Sequence, residues 1–128
     1  MIYGIGIDLI EVPRVARLLD RGIRFKERIY TDREREYCDR KRHSAQNYAA
    51  RFAAKEAFFK ALGTGWSGGL AFRDVEILND ERGKPEIVLH EKAREAAERL
   101  GIDRIHVSLT HIKEMASSIV TLEIHGKE

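Results

Sequence analysis

Asp8, Glu56 and Lys60 are the side chains whose types and spacing best suit chemistry on a phosphate. Asp8 closes the apolar run Ile2-Tyr-Gly-Ile-Gly-Ile7, and a carboxylate at the end of a buried strand must pair, be hydrated or bind a cation. Glu56 and Lys60 stand four residues apart, so on a helix they share one face. Taken alone they are an exposed ion pair worth about 0.2–0.5 kcal/mol. Asp8 alone reads equally well as a capping or salt-bridging acid, as does Glu11 beside the nearby arginines. Two carboxylates from distant segments, however, supply the oxygen ligands of magnesium, which keeps several waters and commonly bridges substrate phosphates. Lys60 would then meet a phosphate oxygen.

Other chemical patterns are weaker. Gly63, Gly65 and Gly68 satisfy the G-x-G-x-x-G string, but that fingerprint must follow a strand and open a helix, and here it follows a helix. No Walker lysine follows it either, which leaves a phosphate-cradling or flexible loop. Ser108-Leu-Thr110-His111 lacks the G-x-S-x-G surroundings of a nucleophile elbow. It reads as a strand with a polar outer face or as hydroxyls and an imidazole near a phosphate. His43, His90, His106 and His125 have no metal-ligand spacing and are read as structural or solvated. Cys38, the single cysteine, is expected to be a half-buried filler with no disulfide partner.

The elements that must position these groups follow from periodicity and punctuation. A buried strand is expected over 2–7, its two glycines signalling close backbone packing. Pro13 suits a first helical turn, so a short helix over 14–19 should bury Val12, Val15 and Leu19 and expose Arg14, Arg17 and Arg21, with Gly22 as its cap. Thr31 and Glu34 form a capping-box pattern that opens a helix over 32–41. A longer helix should run from Ser44 to Leu62 and stop at Gly63. A hairpin is expected from 72–78 and 85–89, then a helix over 91–100 closed by Gly101. Ile105, Val107 and Leu109 alternate with polar residues, and Val120, Leu122 and Ile124 share a face of a last strand. The sum is one α+β domain over 1–128, an antiparallel sheet packed against a helical block.

Composition bounds the answer. With 128 residues, 43% hydrophobic and 34% charged, the chain suits a single folded domain and is too charged for a membrane protein. No apolar run approaches the roughly 20 residues of a spanning helix, and the start lacks the features of a secretory leader, so a cytoplasmic protein is expected. The net charge is only +2, yet between Arg14 and Arg42 stand 11 basic and six acidic residues, a local excess of +5. That surface suits an acidic partner or a phosphate-bearing ligand.

Three segments together resemble the bacterial holo-acyl-carrier-protein synthases, a 4′-phosphopantetheinyl transferase family. They are Gly4-Ile-Gly6-Ile-Asp8-Leu-Ile-Glu11-Val-Pro-Arg14, Arg51-Phe-Ala-Ala-Lys55-Glu56-Ala-Phe-Phe-Lys60-Ala-Leu-Gly63-Thr-Gly65 and Val107-Ser-Leu-Thr-His111, with Gly83-Lys84-Pro85 between. The resemblance spans almost the whole chain. It implies the family's fold and the transfer of phosphopantetheine from coenzyme A to a serine of apo acyl carrier protein, leaving adenosine 3′,5′-bisphosphate. It further implies magnesium on Asp8 and Glu56, with Lys60 stabilising transition-state charge. Coenzyme A contacts are implied at Lys41, Arg42, Arg51, Lys60, Gly63, Gly65, Ser108 and His111, and carrier contacts at Arg14, Arg21 and Arg24. Family members form homotrimers with sites at subunit interfaces, so the same is expected here. Thr110 replaces a usual serine, Pro13 sits in a variable spot, and Lys113-Glu114-Met115 departs from the common pattern.

Two other readings bear on the basic segment. A nucleic-acid-binding module would use the +5 stretch, but the chain lacks the aromatic-rich stacking motif of common single-strand readers, so no nucleic acid and no membrane is expected as partner. A carrier-binding protein without catalysis would tolerate loss of Asp8 or Glu56.

Overall fold

The first strand is longer than its apolar run. In the computed structural model, which describes residues 1–63 and 69–126, β1 covers Ile2–Glu11, so Asp8 lies inside the strand instead of at its end. Then come α1 (Val12–Asp20), α2 (Ile23–Ile29), α3 (Asp32–Asp39) and α4 (Ser44–Leu62). A 3-10 turn at Phe72–Asp74 leads into β2 (Val75–Asn79), followed by β3 (Pro85–Leu89), α5 (Glu91–Leu100), β4 (Arg104–His111) and β5 (Met115–Glu123). The expected α+β architecture is present, with the strands divided between a three-stranded antiparallel sheet, β1-β5-β4, and the β2-β3 hairpin.

α4 is the spine of the molecule. Its alanines and phenylalanines, Ala49 to Leu62, are buried almost all round, and helices with no polar face belong in a core. Its bounds match the sequence reading, and Gly63 caps it in the left-handed conformation, at φ 85°. One face of the three-stranded sheet lies on it. A Cβ added to Gly4 would stand 2.1 Å from the carbonyl oxygen of Ala61, and one on Gly6 would stand 1.8 Å from that of Ala57. Backbone touches backbone there, which is the close packing the two glycines signalled.

Register assigns the faces. Asp8 pairs with Ser118, which pairs with Leu109, and Ile10 pairs with Ala116, which pairs with His111. These rows face α4, since Ile10, Ala116 and Ser118 are buried. The alternate rows, Ile7-Ile119-Ser108 and Leu9-Ser117-Thr110, face away.

Several boundaries differ from expectation. α1 ends at Asp20 and is capped by Arg21, not Gly22, because Gly22 (φ 128°) is the N-cap of a further helix, α2, that the sequence reading left out. Its short Ile23-Arg-Phe-Lys-Glu-Arg-Ile29 run is held by packing, with Ile29 buried and Phe25 stacked on Phe52 at 6.2 Å. α3 has the full Thr31/Glu34 capping box but stops at Asp39, two residues early, and Phe72 to Asp74 form a turn where strand was expected. Ile124 lies just beyond β5. Cys38 is fully buried, not half-buried, and burial pushes its thiol up to about 12.

Candidate active site

Asp8 and Lys60 meet. The ammonium of Lys60, in the last turn of α4, donates to Asp8 Oδ1 at 3.0 Å and to the carbonyl of Ile7 at 3.0 Å. The Lys60 side chain is 53% exposed and that of Asp8 15%, so the pair sits at the mouth of the strand-helix junction. The Asp8 carbonyl accepts from Ser117 Oγ at 2.9 Å, which fixes the backbone behind the carboxylate.

Glu56 stands one turn before Lys60 on the same helical face. The contacts of Gly4 with Ala61 and Gly6 with Ala57 show β1 advancing as α4 retreats. Two strand residues span about 6.6 Å and four helical residues about 6 Å, so the next step brings Asp8 level with Ala53, in the turn that leads to Glu56. Distant segments therefore bring Asp8 to Lys60, with Glu56 one helical turn from Lys60 on α4. The donor set fits magnesium in kind, being carboxylate oxygen without thiol or imidazole. Among the described residues no group of three or more His, Cys, Asp or Glu side chains gathers that could hold a metal. A metal held here would thus take its remaining ligands from water and substrate.

A second group of expected residues surrounds a cavity of about 210 Å³ lined by Tyr37, Asn47, Arg51, Asn79, Gly83, Pro85 and His111, with Ala50 and Leu109 at its base. Arg51 is 2% exposed; one of its amino groups donates to Asn79 Oδ1, and its guanidinium carbon lies 4.3 Å from the centre of the Tyr37 ring. Lys41 and Arg42 lie exposed in the turn between α3 and α4, and the Lys41 ammonium stands 4.6 Å from that same ring centre.

Ser108 lies elsewhere. The β4 register turns it to the sheet face opposite α4, beside Ile119, while its carbonyl accepts from Ser118 Oγ at 3.0 Å. Within one chain it faces away from Asp8, Arg51 and His111. Gly63 is the αL cap of α4, and Gly65 lies outside the described residues. Arg14 is exposed on α1, and Arg21 and Arg24 line a broad cavity of about 630 Å³ with Leu18, Phe25 and Arg28.

Beneath the site runs a polar network that sequence reasoning missed. Lys55, wholly buried, donates to Glu34 Oε1 at 2.8 Å and to the carbonyls of Phe72 and Val75 at 3.0 and 2.6 Å. Burial pulls the Lys55 ammonium below its usual value, and the Glu34 carboxylate opposes that pull. Glu34 also accepts from the amides of Thr31 and Ile77, both at 2.9 Å. Glu76, equally buried, is held by Thr31, Arg33 and His90. This network fixes α3 and the hairpin against α4. The available signal was the apolar context of Lys55, flanked by Ala53, Ala54, Ala57 and Phe58 on a helix with no exposed stripe.

Comparison with known proteins agrees with this picture. Residues 4–120 match the family model described as the 4′-phosphopantetheinyl transferase superfamily. A holo-[acyl-carrier-protein] synthase of Geotalea daltonii is 47% identical over 124 residues, 96% of this chain and 99% of that one. The crystal structure of the Neisseria meningitidis synthase superposes with a TM-score of 0.89 at 37% identity, covering 96% of this chain and 99% of that one. A Bacillus anthracis synthase, solved in complex with CoA (3′,5′-ADP), has a TM-score of 0.80 at 40% identity over 97% and 98% of the two chains. The chain belongs to the 4′-phosphopantetheinyl transferase superfamily and, within it, to the holo-acyl-carrier-protein synthases. The resemblance drawn from the three sequence segments is met at the level of family, fold and enzyme class.

Proposed function

We propose that this protein transfers 4′-phosphopantetheine from coenzyme A to a serine of an apo acyl carrier protein, releasing adenosine 3′,5′-bisphosphate. The observation that carries the reading is the approach of Lys60 to Asp8 at 3.0 Å, with Glu56 one turn away, in a family with a member solved with coenzyme A. Asp8 and Glu56 would hold a magnesium ion, which when bound supplies Lewis-acid stabilisation to a diphosphate. Lys60, mobile enough at 53% exposure to turn from Asp8, places its charge against a non-bridging phosphate oxygen. Arg51, Lys41, Arg42 and His111 bind and orient the nucleotide end of coenzyme A, with Gly63 and Gly65 bordering it. The serine hydroxyl of the carrier forms a new O–P bond at the β-phosphorus as the bond to the α-phosphate oxygen breaks.

The +5 segment acts as the carrier's landing surface, since Arg14, Arg21 and Arg24 are exposed and the last two line a cavity together with the apolar Leu18 and Phe25. The chain works as a homotrimer with sites at its interfaces. Support comes from the outer sheet face, where Ile7 and Leu9 are 62% and 64% exposed, and where Ser108 is turned toward any neighbour. The cytoplasm is the proposed location; no described helix is long and apolar enough to cross a membrane.

Incubation with magnesium, coenzyme A and an apo carrier protein should raise the carrier's mass by one phosphopantetheine. No mass change across a panel of apo carriers would overturn the reading.

A further inference from the structure

Tyr37 has no place in the reaction as described, yet its ring touches two of the cations assigned to coenzyme A. It lies on the last turns of α3, half-buried, between the guanidinium of Arg51 at 4.3 Å and the ammonium of Lys41 at 4.6 Å, each measured to the ring centre. Those cations come from different elements, Arg51 from the interior of α4 and Lys41 from the turn between α3 and α4. Left to themselves they repel, and a lysine side chain loses rotamer freedom when it is fixed. The negative face of an aromatic ring attracts a cation, more strongly as water is excluded.

The burial of Arg51 sharpens the point. Its Nε has no hydrogen-bond partner among the described residues, while Asn79 takes one of its amino groups. A buried guanidinium that donates to one neutral oxygen among the described residues gains from a further contact, and the π face of Tyr37 supplies one. Tyr37 also lines both the cavity of Arg51 and His111 and the adjoining cavity of about 330 Å³ that holds Arg33 and Arg40. It shares that place with Arg51 and Asn79, which line both cavities too.

We infer that Tyr37 is a positioning residue that orders Lys41 and Arg51 for the phosphates of coenzyme A through its π face. The inference rests on the proposed assignment of that cavity to coenzyme A. It makes the ring's electron density, and not its hydroxyl, the working feature.

The test measures coenzyme A affinity by titration calorimetry, together with KM for coenzyme A and for carrier, in Tyr37→Leu and Tyr37→Phe. Loss of the contacts should weaken coenzyme A roughly tenfold in Tyr37→Leu and raise its KM to match, leaving the KM for carrier unchanged. Tyr37→Phe should retain wild-type affinity. Because Tyr37→Leu can unfold α3, a second series places mono-, di- and trifluorophenylalanine at position 37, which keep the ring's shape while draining its π face. Coenzyme A affinity should fall stepwise along that series at unchanged melting temperature. A flat series, or a Tyr37→Phe variant as weak as Tyr37→Leu, would overturn the role of the π face. Wild-type protein that ignores coenzyme A would overturn the assignment of the cavity, and this inference with it.

Discussion

A carboxylate buried as deeply as that of Glu76 survives only through its neighbours. Burial pushes its pKa up, but hydrogen bonds from Thr31, Arg33 and His90 outweigh that and hold it below the usual 4.5. Its folded value being the depressed one, the stability it contributes is fully present above pH 4.5 and disappears as pH falls through the folded value. Glu76→Gln should therefore lower stability at neutral pH by about 1 kcal/mol, since Arg33 and His90, both well exposed to solvent, lose their anion. Below pH 4.5 the two proteins should converge, as urea melts at several pH values will show. A constant gap down to pH 2 would contradict this account. Asp8 is the opposite case. Its partner Lys60 is half-exposed, and such pairs contribute about 0–1 kcal/mol. Asp8→Asn should leave the melting temperature within a few degrees of wild type while reducing transfer at least about 100-fold, if the carboxylate holds metal. Comparable losses of stability and activity would make Asp8 a merely structural acid.

At the scale of elements, β1 and α4 form a single device. Gly6 lets the strand rest on the carbonyl of Ala57, and a Cβ there would sit 1.8 Å from that oxygen. Gly6→Ala must push β1 off α4 and carry Asp8 away from Lys60, so it should cost several kcal/mol and abolish transfer together. A circular dichroism melt matching wild type would refute that packing. How much of this could be read in sequence depends on what each signal encodes. Gly63 and Gly101 announce helix ends because each occupies a left-handed position that most residues avoid, and both helices end where expected. The glycines of β1 likewise signalled close packing, and the i, i+4 spacing placed Glu56 and Lys60 together. α2 carried no cap and too short a period, and it depends on the Phe25 contact with Phe52, which lies far along the chain. Ser108 was grouped with His111 by proximity in sequence, but strand alternation sends them to opposite faces. The burial of Lys55 and Arg51 depends on the elements that close over α4, a long-range matter that the pattern of the helix alone does not encode.

For the molecule as a whole, the decisive feature is the sheet face that α4 does not cover. Ile5, Ile7 and Leu9 on β1 are 56%, 62% and 64% exposed, and Ile119 on β5 joins them at 41%. Ile7 and Ile119 are direct partners in the ladder, so the four form a continuous apolar stripe flanked by Ser108 and Thr110. A stripe of that kind on a chain with 34% charged residues suits the proposed homotrimer, whose neighbouring subunits would cover it. In a homotrimer it would bury apolar side chains at each interface and bring Ser108 of one subunit toward its neighbour, which one chain alone cannot do. Ile7→Glu tests this without touching the α4 side of the sheet. The side chain is exposed in the subunit, so circular dichroism should be unchanged. Light scattering should fall from three subunit masses to one, and transfer should fall with it, because sites formed between subunits are lost on dissociation. Wild-type protein that already scatters as a single subunit, or a dissociated variant with full activity, would refute a site built between chains.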